Sequence, residues 1–273
     1  MCELLAMSCR QASRLTFSLE ALAARSGQAS STRDGWGAAF YQGKDAALYR
    51  EPVAASDSPL VRFLEKQGPD TTLAISHIRR ATQGARTLAN TQPFARELAG
   101  RMHVFAHNGL LPGIERSAHL ASEHDQPIGE TDSELAFCAL MEGLRQLWRL
   151  TSAPPSVEAR LAVVTAFAAD LRQLGPANFL YADGEVLFAH GHRRIQAATG
   201  LIEPPGLFML SRQCSHTDES VQTQGVAIAP GFQEVMLIAS VPLSAEHWRP
   251  LAEGEVVAVS AGRLLASRIG SRT

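Results

Sequence analysis

Met1-Cys2-Glu3-Leu4-Leu5-Ala6-Met7-Ser8 opens the chain. Cys2 to Ser8 is mostly apolar with weak alternation, the pattern of a strand buried on both faces. If Met1 is trimmed, Cys2 becomes the first residue and carries both a thiol and a free α-amine. An α-amine titrates at roughly 7.7–8.0 and a thiol at about 8.5. Near neutral pH the amine can therefore accept the thiol proton, directly or through a water, with no histidine partner. A small second side chain leaves the Met1 bond open to an aminopeptidase, so the expected mature domain runs over residues 2–273. The plainer account of Cys2 is a small, buried apolar residue in an N-terminal strand.

The 273 residues are 45% hydrophobic and 19% charged, enough apolar content for a sizeable core. A formal net charge of −2 gives no electrostatic case for nucleic acid or an anionic membrane. Glu3 stands where a signal peptide would turn hydrophobic, and the most apolar later stretch, Leu161 to Ala169, is too short to span a bilayer. A soluble cytoplasmic protein is expected. Cys2, Cys9, Cys138 and Cys214 form no CxxC pair, so neither a disulfide framework nor a zinc site is suggested.

Beyond the first strand, Thr16 to Ser26 has helical apolar spacing and Gln28 to Arg33 reads as a loop. Ala38 to Tyr41 and Ala46 to Tyr49, turned by Gly43, form a hairpin. Ser58-Pro59 starts a short helix to about Gln67. Thr72 to His77 and Met102 to His107 are strands, with a loop rich in Gly, Thr, Asn and Pro at Thr82 to Arg96. Helices are expected over Thr131 to Trp148 and Val157 to Leu174, the latter stopped by Gly175-Pro176. Short strands follow: Phe179 to Ala182, Glu185 to Ala189, Leu207 to Leu210, Glu234 to Ala239, Val256 to Val259 and Leu264 to Ser267. Strands, then two helices, then strands again make an α+β layered sandwich the natural solution.

Three stretches could carry chemistry. In Ser76-His-Ile-Arg-Arg-Ala-Thr-Gln-Gly84, Arg79 or Arg80 could grip a carboxylate with a bidentate fork; a surface arginine pair is the bland account. In Val104-Phe-Ala-His-Asn-Gly-Leu110, the Asn108 side chain and the Gly109 N–H could both aim at one oxygen, as an oxyanion hole requires. An ordinary Asn-Gly turn would look the same. In Gly129-Glu-Thr-Asp-Ser-Glu134, Thr131 could cap a helix while Asp132 and Glu134 suit its dipole. A carboxylate there could also hold an ammonium.

In this order and spacing, the N-terminal Met-Cys, HIRxAT, HNG and GETDSE resemble the class-II glutamine amidotransferases, N-terminal-nucleophile (Ntn) hydrolases. MCELLAMS, DGWG near 35 and NTQPF near 92 are similar to the stand-alone bacterial members. The resemblance implies a four-layer αββα sandwich. It also implies that Cys2 attacks the side-chain amide of glutamine, releasing ammonia and leaving a γ-glutamyl thioester for water. By the same match Arg79 binds the substrate carboxylate, Asn108 and Gly109 form the oxyanion pair, and Asp132 binds the α-ammonium. Thr82 and Gly84 line the glutamine pocket. Trp36 falls near the nucleophile or serves as core. Gln83 and Gln92 stand where several members have histidine, in the loop over the pocket. No cofactor or metal is implied; His103 and His107 share a strand face but are poor candidates for metal ligands.

The leading expectation is a glutaminase passing ammonia to a separate partner synthase. An alternative is a hydrolase of small γ-glutamyl amides without ammonia transfer, since Arg79 and Asp132 would read the same head group. An acylase of the bile-acid or penicillin type and a non-catalytic metabolite-binding domain are the remaining readings. HNG followed by GETDSE argues against the acylase, and the non-catalytic reading requires Met1 to be retained.

Overall fold

The computed structural model describes residues 2–15, 34–80, 84–149, 153–214, 221–223, 226–228 and 233–270. In chain order these form β1 (Glu3–Arg14), β2 (Gly35–Gln42), β3 (Asp45–Glu51), α1 (Pro59–Gln67), β4 (Asp70–Arg79), β5 (Phe94–Leu98) and β6 (Arg101–Gly109). Next come α2 (Asp132–Trp148), α3 (Val157–Leu174), β7 (Ala177–Ala182), β8 (Leu187–Gly191), β9 (Arg194–Ile195) and β10 (Ile202–Glu203). The chain continues with β11 (Phe208–Cys214), β12 (Val221–Thr223), β13 (Val226–Ile228) and β14 (Gln233–Ala239). It ends with β15 (Arg249–Pro250), β16 (Glu255–Ser260) and β17 (Arg263–Ile269).

One large sheet is ordered β15-β11-β14-β1-β4-β2-β3, with β13 joining β1 and β12 joining β13; the second is ordered β17-β16-β8-β7-β6-β5, and β9 and β10 pair in a small two-stranded sheet. The pairs are antiparallel. Period-2 alternation sorts each strand's side chains to two faces. Leu4 and Ala6 of β1, Leu73 and Ile75 of β4, Val104 and Ala106 of β6, and Leu180 and Ala182 of β7 meet in the core between the sheets. Leu5 and Met7 point the other way, into a core beneath Val61 and Leu64 of α1. Phe105, Phe179 and Tyr181 pack against Phe137 and Leu140 of α2 and Leu161 and Phe167 of α3. The result is the expected α+β αββα sandwich.

Local chemistry sets the helix starts. The Ser58 hydroxyl accepts from Val61 N–H at 3.1 Å ahead of Pro59, and the Thr131 hydroxyl accepts from Glu134 N–H at 3.3 Å. Each satisfies one of the four N–H groups that a helix leaves without an internal partner. Gly43, at φ +65°, makes the β2–β3 turn where L side chains are strained.

Most expected elements are present with longer bounds. The Thr82 to Arg96 loop expectation missed β5, because Phe94–Leu98 is mostly not apolar-alternating and is held by β6 through the Phe94–Phe105 to Leu98–Arg101 register. The expected helix at Thr16 to Ser26 and the loop at Gln28 to Arg33 lie outside the described residues.

Candidate active site

At one end of the inter-sheet core the apolar rows turn polar. Following each inward-facing row to its end, Leu4 gives way to Cys2, Ile75 to His77 and Arg79, Ala106 to Asn108, and Leu180 to Asn178. β1 is central, flanked by β14 and β4, and Glu3 pairs with Ile78, so the start of β1 lies beside the last residues of β4. Topology thus brings Cys2 to the HIRR stretch, where it meets Arg80, 78 positions away in sequence.

Cys2 is half-buried. Arg80 N–H donates to its Sγ at 3.3 Å, and the thiol reaches Arg80 C=O at 3.5 Å. Burial pushes the thiol pKa up; the Arg80 N–H bond and the nearby Arg79 charge act in the opposite sense. Of the two arginines, Arg79 is the buried one, 3% exposed, whereas Arg80 is exposed and contributes main-chain contacts to the sulfur. Arg79 donates to Ala85 C=O at 3.0 Å and to Gly84 C=O at 3.1 Å. Burial lowers its pKa, partly offset by the neighbouring Cys2 and Asp34. Gly84, at φ +73°, sits where a Cβ would come within 2.8 Å of Asn90 Nδ2, so the turn that presents its carbonyl needs glycine. Asp34 N–H bonds Arg79 C=O at 3.0 Å, and the Asp34 carboxylate meets Arg86 at 2.5 Å, pinning the segment after Gly84 to the start of β2.

Across from β1, Asn108 Nδ2 donates to Cys2 C=O at 2.7 Å, a direct bond from the oxyanion candidate to the nucleophile candidate. At Gly109 a Cβ would lie 1.8 Å from Pro176 O and 2.6 Å from His107 Nε2; the close approach of the β7 lead-in excludes any side chain there. Asp132 stands at the first position of α2. Its Oδ2 accepts from Leu111 N–H at 2.8 Å and its Oδ1 from Ser133 N–H at 2.7 Å. The carboxylate is thereby tied to the turn two residues beyond Gly109. Cys2, Arg79, Gly84, Asn108, Gly109 and Asp132 are therefore connected through short hydrogen bonds or strand ends; Thr82 and Gln83 lie outside the described residues.

Several of these contacts come from residues that motif matching assigned differently or passed over. Trp36 alternates to the outer core with Ala38 and Phe40, its Nε1 bonded to Glu51 at 3.0 Å, so it is packing. Gln92 is 5% exposed, and its Oε1 accepts from His107 N–H at 2.6 Å. It lies in the irregular segment just before β5, as expected, and from there supports the HNG strand. His107 faces the helices, with Nδ1 2.9 Å from Ser133 Oγ, while His103 packs on Trp148 and meets Tyr181 Oη at 2.7 Å. Desolvation holds His77 at a pKa of about 3 and His103 at about 4, and lowers that of His107. Among the described residues no group of three His, Cys, Asp or Glu side chains is placed to hold a metal ion. No described helix is long and apolar enough to cross a membrane. Asn178 and Arg194 carry no motif, and nothing local in the sequence marks them.

YafJ of Escherichia coli (strain K12), provisionally named a glutamine amidotransferase, is 35% identical over 256 residues, 93% of this chain and 96% of that protein. A crystal structure from Pseudomonas aeruginosa PA01, described as a glutamine amidotransferase by prediction, is 30% identical with a TM-score of 0.67. It covers 97% of this chain and all of that one. Glutamine phosphoribosylpyrophosphate amidotransferase of B. subtilis shares the fold at 16% identity and a TM-score of 0.63; the match spans this whole chain and 50% of that one. The family model described as glutamine amidotransferases class-II matches residues 1–272, and this chain belongs to that family, with its Ntn-hydrolase fold.

Proposed function

We propose that this protein hydrolyses the side-chain amide of glutamine through a γ-glutamyl thioester on Cys2, with Met1 removed from the mature chain. The supporting observation is the 2.7 Å bond between Asn108 Nδ2 and Cys2 C=O, which ties an amide donor of one sheet to the main chain of the cysteine on the other. In the reaction the Cys2 thiol gives its proton to the Cys2 α-amine as its sulfur adds to the amide carbon. Burial raises the thiol pKa, so a base on the same residue answers a real need. Asn108 Nδ2 and the Gly109 N–H receive the oxyanion. Collapse of the tetrahedral species expels ammonia, which takes a proton from the α-ammonium. Water, deprotonated by the same amine, then releases glutamate and regenerates the thiol. Arg79 takes the substrate α-carboxylate and Asp132 its α-ammonium. The ammonia passes to a separate acceptor enzyme.

The test is ammonia release from glutamine by the wild-type protein and by Cys2→Ala, together with peptide mapping after treatment with 6-diazo-5-oxo-norleucine. Turnover in the wild type alone, with the adduct on a peptide beginning at Cys2, is expected. A peptide retaining Met1 in active protein would overturn the mechanism.

A further inference from the structure

We infer that Asn178 is a positioning residue, holding the main chain of Asn108 and tying that strand to the one that carries Cys2. The inference rests on the roles of Cys2 and Asn108 proposed above. Asn178 is the register partner of Asn108 across β6 and β7, lies on the inward face and is 1% exposed. Its Nδ2 donates to Asn108 C=O at 3.1 Å and to Arg193 C=O at 2.7 Å, while its Oδ1 accepts from His192 N–H at 2.7 Å. These partners fix the amide orientation, because a flipped group would set oxygen against two carbonyls and NH2 against an N–H. Gly206 closes over it: a Cβ there would lie 1.6 Å from Asn178 Oδ1.

The segment gripped by Asn178 continues to the nucleophile strand. Arg194 donates to Glu3 Oε1 at 2.9 Å and to Ser240 C=O. Ser240 Oγ accepts from Leu4 N–H at 2.9 Å, and Ser240 N–H bonds Leu4 C=O at 3.0 Å. Arg194 and Glu3 are 5% and 2% exposed. An unbroken run of buried polar contacts therefore leads from the Asn108 carbonyl through Asn178 and residues 192–194 to the two residues after Cys2. It fixes the oxyanion donor relative to the sulfur, where a displacement of about 1 Å costs on the order of 10² in rate.

Asn178→Ala removes the grip, and Gly206→Ala displaces the amide without deleting it. Each should lower kcat for ammonia release from glutamine by about 10- to 100-fold. KM should stay within about twofold, because Arg79 and Asp132 sit on β4 and α2, outside this network; so should the rate of Cys2 alkylation by iodoacetamide, which requires the thiol but no oxyanion donor. A kcat close to wild type overturns the inference. So does a parallel fall in kcat, alkylation rate and glutamine affinity, or failure of both variants to fold; each would mean a general structural role. Wild-type turnover is measured first, and its absence refutes the function proposed above rather than the geometry of this network.

Discussion

Asn108→Ala separates catalysis from stability by magnitude. Loss of one oxyanion donor costs on the order of 10²–10³ in kcat, about 2.7–4 kcal/mol of transition-state stabilisation. The same substitution removes a 2.7 Å bond to Cys2 C=O from a side chain that is 2% exposed. One neutral hydrogen bond contributes about 1 kcal/mol net, and leaving its buried partner unsatisfied about 1–3 kcal/mol. A domain stable by roughly 5–15 kcal/mol stays overwhelmingly folded after such a loss. Unfolding therefore cannot account for a hundredfold drop in turnover. The assay is saturating ammonia release coupled to glutamate dehydrogenase, alongside urea unfolding of the same preparation. Asn108→Asp is a sharper companion, since it keeps the volume but sets a carboxylate where the oxyanion must form, and it should be at least as inactive. Turnover of Asn108→Ala within about threefold of wild type would remove Asn108 from the mechanism.

Arg79→Lys keeps a cation but loses the planar fork; if one charge-assisted bond worth about 1.5–3 kcal/mol is lost, KM for glutamine should rise roughly 10- to 100-fold with kcat less affected. An unchanged KM would place the carboxylate elsewhere. His190, enclosed by Phe179 and His192, is held by burial at a pKa of about 3. Its folded pKa lies below the unfolded value of about 6.5, so the unfolded chain binds more protons and stability falls as pH drops from 6.5 toward 3, by up to about 1.4 kcal/mol per pH unit. His190→Phe should flatten the pH 7-to-5 dependence of urea unfolding by that slope, and an unaltered dependence would show that His190 is not held neutral. Asp183→Ala strips the buried Arg160 of its 2.7 Å partner and should destabilise by about 3–5 kcal/mol, toward the lower figure because Glu185 also reaches Arg160 at 3.1 Å. A loss below 1 kcal/mol in chemical denaturation would contradict that pairing.

What sequence could reveal of this molecule follows from how local each feature is. Helix boundaries were readable where a capping hydroxyl or a breaking glycine sits beside the helix it limits, as at Ser58, Thr131 and Gly175. Arg79, Asn108 and Gly109 were readable because each lies in a short motif at a strand end. The choice of Arg79 over Arg80 came from the family pattern, and alternation along β4 gives its physical basis: Arg79 continues the row of Leu73, Ile75 and His77, while Arg80 does not. Features that depend on which strands pair were not readable. Trp36 lies in a glycine-rich motif, yet the pairing of β2 with β4 turns it to the outer face. Gln92 finds its acceptor role only because His107 passes beside it, and Asn178 acquires its partners from β6 and from residues 192–193.

That division has a physical origin. The apolar rows bury themselves by area and need no particular partner, so their pattern survives in sequence as simple periodicity. The polar end of the same core obeys a stricter condition: every buried donor and acceptor must be satisfied or it costs stability. The bonds that Arg79, Asn108, Glu3 and Arg194 make reach main-chain carbonyls and a carboxylate, several of them in distant parts of the chain. A group held by several hydrogen bonds has little room to move. The proposed oxyanion donor and its structural supports are thus held by the same kind of bond. A residue such as Asn178, without a motif and away from the sulfur, is on this proposal expected to influence rate through the groups it holds, by less than the loss of the donor itself.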